Sequence, residues 1–94
     1  MYKDLDPLLH SQLRLAIISM LVNSEKVEFT HIKEETKAAA GNISIQIKKL
    51  QEAGYIKVEK TFKNNYPNTM ISITKKGIAA FEAYVKSLRK YINP

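Results

Sequence analysis

The sequence predicts a single α+β domain, mostly α, with four helices, one short strand and a two-stranded hairpin. Apolar residues recur every three or four positions in several segments, which is the period of a helix that buries one face. Two later segments alternate apolar and polar residues, which is the period of a strand. No internal repeat, low-complexity stretch or linker interrupts residues 1–94, so one domain over the whole chain is expected.

The composition favours a folded protein with a polyanionic partner. Hydrophobic residues make up 45% of the chain, too many for a disordered segment, and no apolar run approaches the roughly 20 residues that span a bilayer. The net charge is +6, from 15 basic and 9 acidic residues. The absence of cysteine excludes disulfides, thiolate metal sites and cysteine nucleophiles. Acidic residues near the N-terminus argue against a signal peptide, so a cytoplasmic protein is expected.

The first helix is predicted to start at Asp6-Pro7, with Ser11 as a second candidate cap. Its uninterrupted run LRLAIISMLV separates into two apolar faces at 100° per residue. One face contains Leu13, Ala16, Ile17 and Met20, and the nearly opposite face contains Leu8, Leu15, Ile18 and Val22. Because one core in a domain this small cannot cover both faces, one of them is expected to meet a second subunit.

A short strand and a short helix follow. Residues 27–29, VEF, alternate as in an edge strand, and Thr30 is predicted to cap a helix over HIKEETK with Ile32 facing inward. Residues 37–41 would form the turn into the next helix. Alanines occupy positions 38–40, where a serine, threonine or aspartate cap is expected, so the next helix begins without a side-chain cap.

The stretch from Ala40 to Gly54 predicts an amphipathic helix that ends at Gly54 in the left-handed conformation. Its inward stripe consists of Ile43, Ile47 and Leu50, and its outer face carries Asn42, Ile45, Gln46, Lys48 and Lys49. Amides, an aliphatic tip and lysines are the side chains that contact base edges, thymine methyl groups and phosphates. Taken alone, the pattern is more often the solvated face of an ordinary helix.

A hairpin and a last helix complete the chain. YIKVEKT from Tyr55 and MISI from Met70 predict two strands joined by a polar tip of about five to eight residues, in which Asn64-Asn65 can adopt positive φ. Thr74 is predicted to cap the last helix. Within this helix, apolar residues are spaced alternately three and four positions apart, which is the spacing of a surface that packs against another helix. These residues are Ile78, Phe81, Val85, Leu88 and Ile92.

This order of elements matches the winged form of the helix-turn-helix motif, in which a helix pair joined by a tight turn precedes a hairpin, the wing. The assignment gives a recognition helix over about 40–53, a wing over about 55–73 and a C-terminal dimerisation helix over about 74–92. The recognition helix of this motif enters the DNA major groove.

The sequence also resembles a known family. Four segments carry the resemblance over nearly the whole chain: LDPLLHSQLRLAIISML, EFTHIKEET, GNISIQIKKLQEAGYI and ISITKKGIAAFEAY. Their most specific parts are Leu5-Asp6-Pro7, His10-Ser11 with Arg14-Leu15, Gly41 to Ser44, L-x-x-x-G-Y from Leu50 to Tyr55, and Thr74-x-x-Gly77. These segments resemble the small stand-alone winged-helix regulators allied to the MarR and ArsR groups. The resemblance implies a homodimeric DNA-binding protein whose first and last helices pair across a two-fold axis and whose wing lies along the DNA backbone or minor groove.

Three features depart from the pattern usual in that family. Its members usually carry a leucine, a threonine or serine and a polar residue where this chain has three alanines, at positions 38–40. The wing reads Tyr66-Pro67-Asn68-Thr69, without the arginine that is usual near the proline. Metal sensing of the ArsR type requires cysteines that are absent here, so metal control and other cofactors are not expected.

The candidate DNA contacts are of two kinds. Base reading is assigned to Asn42, Ser44, Ile45 and Gln46, and contacts with the DNA backbone are assigned to Lys48, Lys49, Lys60, Lys63, Lys75 and Lys76. Lys75 and Lys76 stand in the first turn of the last helix, where the helix dipole disfavours cations unless an anion such as a phosphate lies nearby. For each single lysine, a solvated surface position is the alternative.

The candidate dimer interface is the apolar surface of the first and last helices. It comprises Leu8, Leu15, Ile18, Val22, Phe81, Tyr84, Val85, Leu88, Tyr91 and Ile92. Base stacking or an effector pocket is the alternative for Phe62, Tyr66, Tyr84 and Tyr91. Dimer packing explains Tyr84 and Tyr91, which lie one heptad apart, more simply. Phe62 is expected to fill the base of the wing.

The residues favour a binding protein over an enzyme. The chain has no cysteine to join His10 or His31 in a metal site, so capping or packing is the expected role of both histidines. Our leading hypothesis is a sequence-specific, homodimeric transcriptional regulator of double-stranded DNA, with no membrane partner and no identified small-molecule effector. The rival hypothesis is a winged-helix protein-interaction module without specific DNA binding.

Overall fold

The computed structural model describes residues 2–94, which form four α-helices and a three-stranded antiparallel sheet. In chain order the elements are α1 (Gln12–Val22), β1 (Val27–Glu28), α2 (Phe29–Thr36), α3 (Ala40–Glu52), β2 (Ile56–Lys63), β3 (Tyr66–Ile73) and α4 (Lys75–Ile92). The strands lie in the order β1-β3-β2. The predicted fold class, a mostly α winged helix-turn-helix, is confirmed. None of the helices within residues 2–94 is both long and apolar enough to cross a bilayer.

The segment before α1 differs from its prediction. Asp6 starts a turn instead of a helix, and its Oδ1 accepts a hydrogen bond from the Leu8 amide at 2.9 Å. The Ser11 amide then bonds to the Leu9 carbonyl at 2.8 Å, so this turn closes before α1 begins. Ser11 occupies the N-cap position of α1, but its hydroxyl makes no capping hydrogen bond.

The core contacts a sector of α1 that joins the two predicted apolar faces. Ile17 and Ile18, which were assigned to opposite faces, are both fully buried, and so is Leu21. The apolar residues on either side of this sector are half-buried. The predicted division into two separate faces is wrong, because one broad core contact takes residues from both.

The second helix starts earlier than predicted. β1 has only two residues, and α2 begins at once with Phe29. Thr30 therefore lies inside α2, and its hydroxyl donates to the Glu28 carboxylate at 3.3 Å instead of capping the helix. The predicted Thr30 cap is wrong, whereas the inward position of Ile32 is confirmed by its complete burial.

The third helix begins without a side-chain cap, as predicted. Ala39 holds the N-cap position with extended backbone angles and offers no side-chain acceptor to the free amides of the first turn. The predicted inward stripe is also confirmed, since Ile43, Ile47 and Leu50 are buried.

Hydrogen bonds from the backbone close the other end of α3. Gly54 has a φ of 80°, the left-handed conformation predicted for it. Its amide donates to the Gln51 carbonyl at 2.9 Å, and the Tyr55 amide donates to the Leu50 carbonyl at 3.0 Å. This pair of bonds is a Schellman motif, which satisfies carbonyls that the helix itself leaves free.

The hairpin is longer and its turn is tighter than predicted. β2 and β3 stay paired up to Lys63 opposite Tyr66, so the turn consists of Asn64 and Asn65 alone, with φ values of 51° and 66°. Two consecutive residues at positive φ match the right-handed twist of the strands, which is why such turns connect hairpins. Pro67 lies in β3 where β2 is its neighbour and β1 no longer pairs, so it interrupts no central ladder. The predicted tip of five to eight residues is wrong.

The start of α4 packs against the end of α3. The Thr74 hydroxyl accepts from the Gly77 amide at 3.0 Å, which confirms the predicted cap, and it donates to the Gly54 carbonyl at 2.6 Å. A Cβ atom on Gly77 would lie 2.2 Å from the Tyr55 carbonyl oxygen. Only glycine therefore allows α4 to approach the turn after α3 this closely.

Candidate nucleic-acid interface

The face of α3 opposite the core is exposed over most of its length. Asn42, Ser44, Lys48 and Lys49 are exposed, and Ile45, the apolar residue among them, leaves 56% of its surface open to solvent. The inward stripe on the other side of α3 fixes this orientation, because it holds the helix against the core. The structure therefore brings five of the predicted DNA-contacting residues together on one surface.

Gln46 lies on the flank of α3 that faces α1, where it is half-buried. Its Oε1 accepts a short hydrogen bond from the Arg14 guanidinium, and its Nε2 donates to Asn42 Oδ1 at 2.9 Å. The second guanidinium bond runs from Arg14 Nε to the Leu8 carbonyl at 2.6 Å. Arg14 was not among the predicted site residues. A single cation inside the apolar run of α1 was the signal that could have found it.

A groove between α3 and the hairpin joins the predicted helix and wing contacts. Ser44 and Lys48 of α3 line one side of it, and Lys60 of β2 and Thr69 of β3 line the other. Lys48, Lys49 and Lys60 take part in no salt bridge within residues 2–94. Lys48 and Lys60 therefore line one concave surface that suits a phosphate chain.

Lys63 has a different environment from Lys60. Its Nζ lies 2.9 Å from Glu28 Oε1, in a salt bridge that ties the wing to β1. The hydrogen bond from Lys63 holds the pKa of the Glu28 carboxyl below its usual value. Lys63 is therefore partly neutralised in the DNA-free chain, although the ion pair is exposed enough for solvent and salt to weaken it.

The two lysines at the start of α4 also differ. Both are exposed, but the Lys76 Nζ lies 5.9 Å from the centroid of the Tyr55 ring. The side chain of Lys76 also passes close to Gly54. Lys76 therefore covers the turn after α3, a position that sequence spacing did not reveal.

Two aromatic side chains are exposed near the tip of the wing. Phe62 is 76% exposed and Tyr66 is 74% exposed, and they stand on neighbouring rungs of the β2–β3 ladder. The prediction that Phe62 fills the base of the wing is wrong. The tight turn places this residue two positions before Asn64, where its side chain stays exposed.

The predicted dimer residues divide into two groups. Ile18 is fully buried in the core of the single chain, and Tyr84 is 5% exposed with its hydroxyl 3.0 Å from His10 Nδ1. These two side chains offer no surface to a partner in this conformation. The other eight are half-buried or exposed: Leu8, Leu15, Val22, Phe81, Val85, Leu88, Tyr91 and Ile92.

Comparison with protein families shows which family the chain belongs to. The model of the family described as "Winged helix DNA-binding domain" matches residues 13–92, from the start of α1 to the end of α4. The protein belongs to this family. The description of the family names DNA binding, in agreement with the expectation of a binding protein and not an enzyme.

Individual relatives support the same assignment. The uncharacterised protein MJ0432 of Methanocaldococcus jannaschii is 34% identical over 76 residues, which cover 81% of this chain and 83% of that protein. A transcriptional regulator homologue from Pyrococcus horikoshii OT3 is 27% identical, with a TM-score of 0.85 over 92% of this chain and 85% of the other. MarR shares the fold at 15% identity, with a TM-score of 0.79 over 92% of this chain and 62% of its own. The predicted resemblance to small winged-helix regulators is confirmed.

Proposed function

We propose that the protein is a sequence-specific transcriptional regulator that binds double-stranded DNA as a homodimer, with α3 in the major groove. The observation that carries this proposal is the exposed face of α3, which presents polar, apolar and cationic side chains together in a DNA-binding family. The cytoplasmic location expected from the sequence stays a prediction of this proposal.

The chemistry of the α3 face suits base edges. Asn42 and Ser44 supply hydrogen-bonding groups, and both lie in the first turns of the helix, the part of a recognition helix that contacts bases. Ile45 supplies an exposed methyl surface of the kind that contacts the thymine methyl group. Gln46 contributes through Asn42, because its own amide is already bonded on both sides.

The lysines supply the sequence-independent part of the affinity. Lys48 and Lys60 line the groove between α3 and the wing, and Lys49 of α3 and Lys75 of α4 are exposed. Each phosphate that a lysine neutralises releases counterions, so affinity should fall steeply as salt is added. Lys63 joins this set only if DNA displaces its bond to Glu28.

The apolar strip of α4 supports the dimer. Phe81, Val85 and Leu88 are half-buried on one side of this 18-residue helix, and Ile92 beyond them is 67% exposed. A second copy of α4, with Leu8 of the N-terminal turn, would cover this strip. A two-fold dimer would present two α3 helices to half-sites one helical turn apart, about 34 Å along the duplex.

One observation favours a second candidate function, a protein-interaction module. Phe62 and Tyr66 expose most of their rings near a wing tip that has no arginine, and exposed aromatic residues are common in protein interfaces. In that case the partner would bind the wing and α4, and the basic surface would have no specific ligand.

Selection from random duplexes, followed by titration at several salt concentrations, tests the proposal. The purified chain should select a palindromic site, and a dimer with six to ten phosphate contacts should lose roughly 10³–10⁵ in affinity between 50 and 200 mM salt. Lys48→Gln should weaken binding to all sequences and lower the salt slope by about two per dimer, since each dimer contains the change twice. Lys90→Gln, an exposed charge change on α4, is the matched control and should alter the slope little. A chain that selects no sequence and binds independently of salt would contradict the proposal.

A further inference from the structure

Arg14 connects the N-terminal turn, α1 and α3 through its guanidinium group. The sequence contains two arginines, Arg14 and Arg89, and Arg89 is exposed on α4. Arg14 is half-buried, with Nε bonded to the Leu8 carbonyl and a terminal nitrogen bonded to Gln46 Oε1. Two bonds in different directions hold the plane of the guanidinium in one orientation.

The bond between Arg14 and Gln46 determines which way the Gln46 amide points. A guanidinium group has donors only, so the atom of Gln46 that faces it must be the carbonyl oxygen. The Gln46 amino group then points along α3 toward the residue one turn earlier. There it donates to Asn42 Oδ1 at 2.9 Å, a side-chain pair at the i, i+4 spacing of a helix.

Asn42 is the last residue of this series of hydrogen bonds. Because its carbonyl oxygen accepts from Gln46, its amino group points away from the network at an exposed position of α3. We infer that Arg14 is a positioning residue for base reading, which sets the Gln46 and Asn42 amides so that Asn42 presents hydrogen-bond donors to the DNA. This inference rests on the proposed function of α3.

A donor pair at Asn42 has a consequence for base preference. Guanine presents two acceptors in the major groove, N7 and O6, whereas adenine presents one acceptor and one donor. An asparagine that pairs with both groups of adenine must aim its carbonyl oxygen at the base. In this structure that oxygen points to Gln46. Asn42 should therefore favour guanine over adenine at the base pair it contacts.

The N-terminal turn that holds Arg14 is itself fixed. Asp6 accepts from the Leu8 amide at 2.9 Å and from the Tyr55 hydroxyl at 2.5 Å, so the Leu8 carbonyl is presented to Arg14 from a braced turn. The orientation of the amides on α3 thus depends on contacts that begin outside the helix-turn-helix.

The first test compares Arg14→Met with Arg89→Met, which removes the same charge from α4 and is the matched control. Affinities are measured for duplexes that differ at single base pairs of the selected site. Arg14→Met should lower the guanine-over-adenine ratio at one base pair of each half-site by at least about fivefold, the low end of what one bidentate contact discriminates. Arg89→Met should leave that ratio unchanged. An unchanged ratio in Arg14→Met would overturn the inference.

The second test is designed to reverse the orientation of the Asn42 side-chain amide. Gln46→Glu keeps an acceptor for Arg14 but removes the donor to Asn42, so Asn42 should turn its amino group toward the new carboxylate and expose its oxygen. The preferred base at that position should change from guanine to cytosine or adenine, which present donors. A general loss of structure would weaken binding to all sequences without exchanging one preferred base for another. Retention of guanine in Gln46→Glu would overturn the inference.

A third measurement needs no DNA. In nitrogen-15 spectra of the full chain, Arg14→Met should shift the side-chain NH₂ signals of both Gln46 and Asn42, and Arg89→Met should shift neither. Unchanged signals would reject the network and leave the DNA-binding proposal standing. If the signals move as expected but the wild-type chain shows no base preference, the proposed function is contradicted and the base-reading role of Arg14 with it.

Discussion

The two ends of α3 are held in opposite ways. At its C-terminal end, Gly54 and Tyr55 close a backbone motif, and Thr74 and Gly77 join that motif to α4. At its N-terminal end, Ala39 offers no cap. The first turns are held instead by side-chain bonds that reach α1. The end that we propose contacts the bases is therefore the end held by side chains instead of by backbone hydrogen bonds.

This difference suggests a division of roles along one helix. Backbone bonds and a close helix approach fix the direction of α3 relative to the wing and α4. Side-chain amides near its start can be exchanged without disturbing that direction, because the inward stripe and the C-terminal motif do not involve them. Changes at the C-terminal end should therefore alter stability, and changes at the N-terminal end should alter DNA preference more than stability.

The largest effect is expected for Gly77→Ala. The added Cβ would meet the Tyr55 carbonyl oxygen at 2.2 Å and Ile73 Cγ1 at 2.8 Å, so the backbone of the turn or of α4 must move. The free energy of unfolding should fall by about 1–3 kcal/mol, the usual cost of overpacking, as measured by urea denaturation. Gly41→Ala is the control at the other end of α3, where nothing lies within 4 Å, and it should stabilise the chain by up to about 1 kcal/mol. A Gly77→Ala protein as stable as the wild type would contradict the account.

A smaller effect is expected for Tyr55→Phe. The change removes the hydrogen bond from the Tyr55 hydroxyl to Asp6 Oδ2, and a partly exposed bond to a charged group contributes about 1–2 kcal/mol to the free energy of unfolding. The bond to Asp6 raises the pKa of Tyr55 to about 12 from the ordinary value of 10.0.

The same variant has a defined pH dependence. Because the folded state holds the Tyr55 proton more tightly, this contribution is complete below pH 10 and is lost as the pH rises toward 12. The difference in the free energy of unfolding between wild type and Tyr55→Phe should therefore shrink over that range. A difference that stays constant between pH 9 and pH 12 would show that Asp6 does not hold this proton.

The smallest effect is expected for Ala39→Ser, which supplies the missing cap. Ala39 already has extended angles, φ −67° and ψ 143°, so a serine hydroxyl can accept from an amide of the first turn without moving the backbone. The free energy of unfolding should rise by about 0.5–1 kcal/mol. Ala40→Ser, one residue inside the helix, is the control and should give no such gain. Equal effects of the two changes would mean that the start of α3 is not limited by its cap.

Local signals account for the parts of the fold that could be predicted from the sequence. Gly54, Thr74 and the stripe led by Ile43 act through residues a few positions away, so spacing and residue type were sufficient to predict them. The missing cap at Ala39 was read correctly for the same reason. These signals were sufficient to predict the position of α3 and which of its faces is exposed.

The features that were missed depend on contacts between distant residues. Arg14 meets Gln46 across 32 positions, and Lys63 meets Glu28 across 35, so neither pair has a sequence spacing that marks it. The broad contact between α1 and the core was also missed. The apolar pattern of α1 shows which of its residues are apolar, but it does not show which side of the helix the other elements cover. In the wing, β2 and β3 stay paired up to the turn at Asn64 and Asn65. The polar residues next to that turn predicted a loop, but they belong to the two strands.

The central claim is that the exposed face of α3 reads DNA, and chemical-shift mapping of this 10.7 kDa chain tests it most directly. Backbone and side-chain signals are recorded while the selected duplex is added. We expect the largest changes at Asn42, Ser44 and Ile45, and smaller changes at Lys48 and Lys60, which line the groove. Changes confined to Phe62, Tyr66 and α4, with α3 unaffected, would contradict it.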